Sequence, residues 1–317
     1  MTRSFGAVMV FLMMFNGSLL FPQQGLRIAV IPKGTTHVFW KSVEAGSRAA
    51  AKDLNVEIIW KGPLKENDRA QQISIVEQFV NESVSGIVLA PLDHTALARP
   101  VAAAGRKNIP VVIFDSSLNG VAGKDFVSFV ATDNKKGGTL AGEHLVSLLG
   151  GRGKVVLLRY VVGSASTSER EDGFLDVIGV KTGMTVTVSN RYAGPTAGEA
   201  KTASMNMVDR LNEADGIFCP NESSTFGMLL ALRQMNLAGK VKFVGFDTSP
   251  PLVEALQKGE IHALVAQDPT RMGYEAVATL VKHIRGENTS PLIDTGVQLI
   301  TKDNINDPKI KLLLGTH

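Results

Sequence analysis

The sequence has one cysteine in 317 residues, Cys219. An internal disulfide is thereby excluded, and a chain bound for an oxidising compartment must rely on core packing. Cys219 ends the apolar run Gly216-Ile217-Phe218-Cys219 and reads as a buried, unreactive thiol. Charge of one sign is also lacking: the formal net charge is +3, with Lys and Arg scattered among Asp and Glu. A nucleic-acid binder would gather its basic residues into a stripe. The six histidines, at 37, 94, 144, 262, 283 and 317, show no metal-ligand spacing and no His-Glu-x-x-His helix. There is no Gly-x-Ser-x-Gly elbow, and spacing nominates no nucleophile–base pair. Gly150-Gly151-Arg152-Gly153 closes a helical pattern and precedes an apolar run. A phosphate-cradling loop needs the reverse order, so these glycines read as a helix stop and turn. Neither catalysis nor a metal or cofactor is expected.

What is present begins with a targeting signal. Arg3 precedes an apolar stretch, 5–15, then Asn16-Gly17-Ser18 and a second short run to Phe21. The run is broken and falls short of the ~20 apolar residues of a membrane span. Residues 1–25 are therefore expected to be a secretory signal peptide, and the protein to be periplasmic. No cysteine lies nearby to carry a lipid.

Beyond Gly25, short apolar runs alternate with longer amphipathic stretches. The runs at 27–31, 56–60, 86–90, 111–114, 155–159, 216–219, 241–246 and 261–266 are rich in Val and Ile and continuous. Strands buried on both faces of a parallel sheet read in this way. Phe39, Val43, Gly46, Ala50 and Leu54 share one helical face, as do Ile73, Val76 and Val80. The alternation predicts an α/β fold with helices covering parallel sheets.

The chain also repeats itself. Gly86-Ile87-Val88-Leu89-Ala90-Pro91 is echoed by Gly216-Ile217-Phe218-Cys219-Pro220, and Val112-Ile113-Phe114-Asp115-Ser116 by Val244-Gly245-Phe246-Asp247-Thr248. The offsets, 216 − 86 = 130 and 247 − 115 = 132, imply two lobes of like topology. Ligands of open parallel sheets bind beyond the carboxyl ends of the strands. Asp115 and Asp247 are thus expected on facing walls of one cleft.

Two further features bear on that cleft. Ser164 to Ser168 follow a strand run and precede a helix, and Ser168 with Glu171 spells a capping box. Arg170 then falls in the first helical turn, where the dipole disfavours a cation, which marks it as a ligand contact. Aromatic residues are scarce at 6%, so the pair Phe39-Trp40 near a strand end stands out. Phe39 fits the core face of its helix, whereas Trp40 is free to cover the C–H face of a sugar. Lys33 reads equally as a site residue and as a solvated loop residue.

These residues resemble the periplasmic sugar-binding proteins of bacterial ABC importers, ribose-binding type, from about Arg27 to the C-terminus. The motifs that carry the resemblance are Phe39-Trp40, Phe114-Asp115-Ser116, Thr132-Asp133-Asn134, Arg170-Glu171-Asp172-Gly173-Phe174, Pro220-Asn221-Glu222, Val244-Gly245-Phe246-Asp247 and Ala266-Gln267. The resemblance implies a type I periplasmic binding protein fold, with two Rossmann-like lobes joined by a hinge of three crossings. It implies lobes over 26–131 plus 268–294 and over 132–267 plus 295–317. It implies a monomer that closes on a monosaccharide or sugar alcohol and delivers it to an ABC permease, or presents it to a membrane receptor as a sensor. Phe39 and Trp40 would stack on the sugar, Asp115, Arg170, Asn221 and Asp247 would bind its hydroxyls, and Gln267 would lie near the hinge. His37 occupies a polar contact position of the ribose proteins. Ser116, another ligand-binding candidate, stands where they commonly carry arginine, and Tyr192 is the sole aromatic near their further ring contact. Ile31-Pro32-Lys33 and Gly62-Pro63 with Gln71 are similar to the rhamnose and autoinducer-2 branch, in which the lysine touches ligand. A LacI-type regulator shares the architecture but needs a DNA-binding helix-turn-helix before the first strand, where this chain has its apolar segment.

Overall fold

The computed structural model describes residues 25–315. The expected signal peptide therefore lies outside the described residues, except for Gly25. The first half runs β1 (Arg27–Ile31), α1 (Val38–Leu54), β2 (Glu57–Trp60), α2 (Arg69–Asn81), β3 (Gly86–Leu89), α3 (Ala98–Arg106), β4 (Val111–Phe114) and β5 (Ser128–Ala131). There follow α4 (Asn134–Leu148), β6 (Gly153–Arg159), α5 (Ala165–Gly179), β7 (Met184–Tyr192), α6 (Ala197–Met205), α7 (Val208–Asn212) and β8 (Gly216–Phe218). Then come α8 (Glu222–Gln234), β9 (Lys242–Phe246), α9 (Pro250–Lys258) and β10 (Ala263–Gln267). The chain ends with α10 (Pro269–Ile284), β11 (Leu292–Asp294), β12 (Val297–Ile300) and α11 (Pro308–Leu313).

The strands form two six-stranded sheets, ordered β11-β5-β4-β3-β1-β2 and β12-β10-β9-β8-β6-β7. Strand for strand the orders are the same, so the internal repeat is a repeat of topology. The sheets are parallel apart from β12, which runs antiparallel to β10. The chain passes between sheets after β5, after β10 and between β11 and β12. The continuous apolar strands are buried on both faces, with β3, β4 and β10 buried at every residue. The exception is β2, expected from the run 56–60 to be buried but lying at the sheet edge with no buried residue. Each sheet accordingly carries a hydrophobic cluster on either side.

The helices bring functional residues to the strand ends by close packing. A Cβ on Gly138 of α4 would stand 1.8 Å from the carbonyl oxygen of Arg170 in α5, and one on Gly173 would meet that of Lys135 at 2.2 Å. Only glycine permits α4 and α5 to approach so closely. The approach fixes the backbone that carries Arg170.

Three local expectations are corrected. Helix α5 starts at Ala165 with Ser164 as its N-cap, so Ser168 lies inside the helix and the capping box does not form. Glu171 instead accepts from Arg159 Nη1 (2.6 Å) and from the backbone N–H of Tyr160 (3.0 Å). Arg170 consequently sits in the second turn, where the dipole argument does not apply. The roles given to Phe39 and Trp40 are also reversed. Trp40 is buried on the helix face with Val43, Ser47 and Ala50, while Phe39 is half-buried. Finally, Lys33 is only 3% exposed, which rules out a solvated loop residue.

Candidate functional site

The carboxyl ends of the strands in both sheets meet around one cavity. It contains about 310 Å³ of space free of protein atoms, part of it continuous with solvent. Lys33, His37, Phe39, Trp40, Asp115, Arg170, Asn221, Asp247 and Gln267 all line it. Ser116 does not line it, and its hydroxyl accepts instead from the backbone N–H of Ser166 across the cleft (3.0 Å). Tyr192 does not line it either and is 47% exposed at the end of β7.

Asp115 and Asp247 occupy matching places, one residue beyond β4 and one beyond β9. Both adopt left-handed backbone, with φ of 61° and 70°. Non-glycine residues seldom do so, and such conformations gather at functional sites. Each is held there by the next strand: Asp115 N–H donates to Val130 O at 3.0 Å and Asp247 N–H to Val265 O at 2.8 Å. The two carboxylates differ in their partners. Asp115 Oδ2 lies 2.9 Å from Lys33 Nζ, an ion pair without hydrogen-bond geometry. Asp247 accepts from Gln267 Nε2 and from the backbone N–H of Glu222, both at 2.8 Å. Burial raises the Asp247 pKa, opposed by the charge of Arg170.

Arg170 is 2% exposed and lies between these walls. Its Nε donates to Asn134 Oδ1 (2.8 Å), its Nη1 to Pro220 O (2.9 Å), and its guanidinium carbon sits 3.9 Å from the centre of the Phe246 ring. Burial lowers its pKa, while Asp247 and Asp115 hold the charge in place. Asn221 is the N-cap of α8, with its Oδ1 accepting from Ser224 N–H and its Nδ2 donating to Ser223 Oγ. A second amide N–H of Asn221 is left over for a ligand. Gln267 ends β10, and its buried Oε1 has no hydrogen-bond partner.

Sequence reasoning missed Glu66, Tyr160, Ser166, Thr167 and Glu222, which also line the cavity. Glu66 is the most connected of them. Its Oε1 accepts from Trp40 Nε1 (2.6 Å) and lies 2.7 Å from His37 Nδ1, and its Oε2 accepts from Tyr160 OH (3.0 Å). Burial alone would raise its pKa, but the adjacent His37 lowers it to about 2. Reciprocally, burial would lower His37, but Glu66 and then Glu222 raise it to about 9. The loop from 61 to 68 has no periodic pattern, and the partners of Glu66 lie 26 and 94 residues away. Glu222 had a signal, since it closes the Pro220-Asn221-Glu222 motif.

Among the described residues no cluster of His, Cys, Asp or Glu could hold a metal ion, and no helix is long and apolar enough to cross a membrane. The model of the periplasmic binding protein domain matches residues 28–288, and the chain belongs to that family. The fold is that of type I periplasmic binding proteins, and the family is one of binding proteins without catalysis. More particularly, the chain is 28% identical to the ribose import binding protein of Haemophilus influenzae, over 87% of this chain and 91% of that protein. It is 34% identical, with a TM-score of 0.88, to a carbohydrate-transporter solute-binding protein from Agrobacterium radiobacter solved in complex with D-arabinose. That match covers 92% of this chain and 99% of the other. An ABC-transporter solute-binding protein from Agrobacterium vitis with bound D-fucose is 36% identical, with a TM-score of 0.86, over 90% and 98% of the two chains.

Proposed function

We propose that this protein captures a neutral monosaccharide or sugar alcohol outside the cytoplasmic membrane and delivers it, as a monomer, to an ABC permease. The observation that carries this reading is the pair Asp115 and Asp247, strand-end carboxylates from two like sheets on opposite walls of one small cavity. A polyhydroxylated ligand supplies the hydroxyl donors that carboxylates and a glutamine oxygen accept, and Phe39 and Trp40 supply an apolar wall. The relatives with bound arabinose and fucose support the choice of ligand class.

Charge narrows that class. Lys33, His37 and Arg170 each already face a carboxylate: Asp115, Glu66 and Asp247 respectively. With Glu222 added, the lining carries four formal negative charges against three positive. A sugar acid or sugar phosphate would meet repulsion there and find its cations already paired.

In this reading the sheets belong to lobes over 26–131 plus 268–294 and 132–267 plus 295–317, and rotation takes place at the three crossings. Residues 1–25 direct export, so the native protein should have lost about 20–25 residues by mass spectrometry; an intact Met1 would contradict export. The ligand class is tested by thermal shift against D-ribose, D-arabinose, D-fucose, xylitol and myo-inositol, with gluconate and a hexose phosphate as controls. A true ligand at 100 times its Kd should add about 2.7 kcal/mol of stability. A response to the controls alone would overturn the reading.

A further inference from the structure

The walls of the cavity hold one another without any ligand, through residues whose polar atoms are already used. Helix α1 illustrates this. Its own N-cap, His37, makes no side-chain cap, leaving the first backbone N–H groups to be satisfied elsewhere. Glu222, which opens α8 on the other side of the cleft, satisfies them. Its two oxygens accept from Val38 N–H (3.3 Å) and Phe39 N–H (2.9 Å). A carboxylate at a helix N-terminus is also favoured by the helix dipole. Beside it, His37 lies between Glu66 of its own side (Nδ1, 2.7 Å) and the carbonyl oxygen of Pro195 opposite (Nε2, 3.1 Å). An imidazolium donates through both nitrogens and suits both partners. Tyr160, from the end of β6, completes the arrangement by donating to Glu66.

We propose that Glu222, His37, Glu66 and Tyr160 form a clasp between the lobes: positioning residues that close the site by protein–protein contacts beside the sugar. Both ring nitrogens of His37 and both carboxylate oxygens of Glu66 and Glu222 are engaged by protein groups. The hydroxyls of the sugar are then left to Asp115, Arg170, Asn221, Asp247 and Gln267. The clasp rests on the hinge-closure reading and adds a ligand-independent bias toward the closed form. Its contacts across the cleft, Glu222 with the start of α1, His37 with Pro195 and Tyr160 with Glu66, exist only when the lobes meet. They keep the free protein's closed form at a minor population of about 0.1–10%.

The clasp also makes closure sensitive to pH. The charged groups around His37 are Glu66 from the loop before α2 and Glu222 from α8. Lys33 and Tyr160 face Glu66 in turn, and Asp247 faces Glu222. The protonated imidazole favours the closed form. Only the part of its raised pKa that Glu222 and Pro195 supply belongs to closure, because Glu66 stands beside it in the open form as well; that part is lost as pH rises through about 9. Burial holds the Tyr160 phenol well above its usual range, so it remains a donor over that interval.

The test uses no sugar. Dyes on Lys52→Cys and Lys181→Cys, both exposed positions, report the distance between lobes by single-molecule energy transfer, and buried Cys219 escapes labelling. The ligand-free protein should show the closed minority at pH 7. Tyr160→Phe should reduce it about tenfold, the loss of one hydrogen bond to a charged group, and Glu222→Ala, which removes two, at least as much, while Glu222→Gln keeps part of it. Raising the pH to 10 should reproduce the loss in the parent but have little further effect in His37→Gln. Far-ultraviolet circular dichroism would check that the variants are folded. No closed minority in the parent, or one that neither variants nor pH alter, overturns the clasp. Because no sugar is present, neither result depends on the ligand having been identified correctly.

Discussion

Asp115 and Asp247 were the residues most legible in the sequence, because each ends a Val/Ile-rich run and the runs recur at nearly one offset. Arg170 was singled out by an argument that does not survive, since its helix starts earlier than the serine run suggested. What the structure gives it is burial between two carboxylates, on a ring and against a carbonyl, none of which leaves a trace in local pattern. Glu66 and Tyr160 were illegible for the same reason: a buried carboxylate in a loop is defined by partners distant in sequence. Phe39 and Trp40 show the limit of helical periodicity over a single turn, where a shift of one residue exchanges the buried and the half-buried ring. For Arg170 the consequence is quantitative. Arg170→Ala removes the buried positive charge near Asp247 and the hydrogen bonds to Asn134 and Pro220, and leaving a buried carboxylate uncompensated costs about 3–5 kcal/mol. Urea unfolding should show a loss of that order together with weakened sugar binding. Unchanged stability would mean that Arg170 is not the charge that balances the site.

At the scale of elements, strands buried on both faces were visible as continuous apolar runs, whereas β5, β7, β11 and β12 were not. Strand β7 is an edge strand with a mixed burial pattern, and β11 and β12 are short and half-exposed, so none carries a continuous apolar signature. Gln267 is the last residue of β10, at the point where the chain passes back to the first sheet. The close packing of α4 on α5 was equally hidden, because a glycine needed for helix contact looks like any other in sequence. Gly138→Ala tests what that contact does. Its new methyl would meet the Arg170 carbonyl, so α5 must shift. We expect about 1–3 kcal/mol of lost stability, the usual range for overpacking, and a fall in sugar affinity larger than the fold loses. Calorimetry on the folded variant separates the two. Full affinity in a destabilised Gly138→Ala protein would show that α4 does not position Arg170.

At the scale of the whole molecule, the duplication read from two strand pairs extends to all twelve strands, with the same order in both sheets. The three passages of the chain between sheets are what a hinged pair of lobes requires. Residues far apart in sequence meet only across the cleft: Lys33 with Ser166, Ser117 with Glu169, His94 with Gly163. Sequence shows a duplicated topology, but which faces meet and how tightly is a tertiary outcome. These contacts, the cavity between Asp115 and Asp247, and the clasp beside it describe a closed trap. Neither wall alone satisfies a polyhydroxylated ligand, so the bound state must be favoured by contacts that form on closing. Small-angle X-ray scattering of the protein, free and saturated with the sugar found by thermal shift, measures this directly. The account predicts a larger radius of gyration for the free protein, contraction on binding, and a reduced contraction in Asp247→Ala. A radius unchanged at saturating sugar, with the free protein already as compact as the bound, would contradict it.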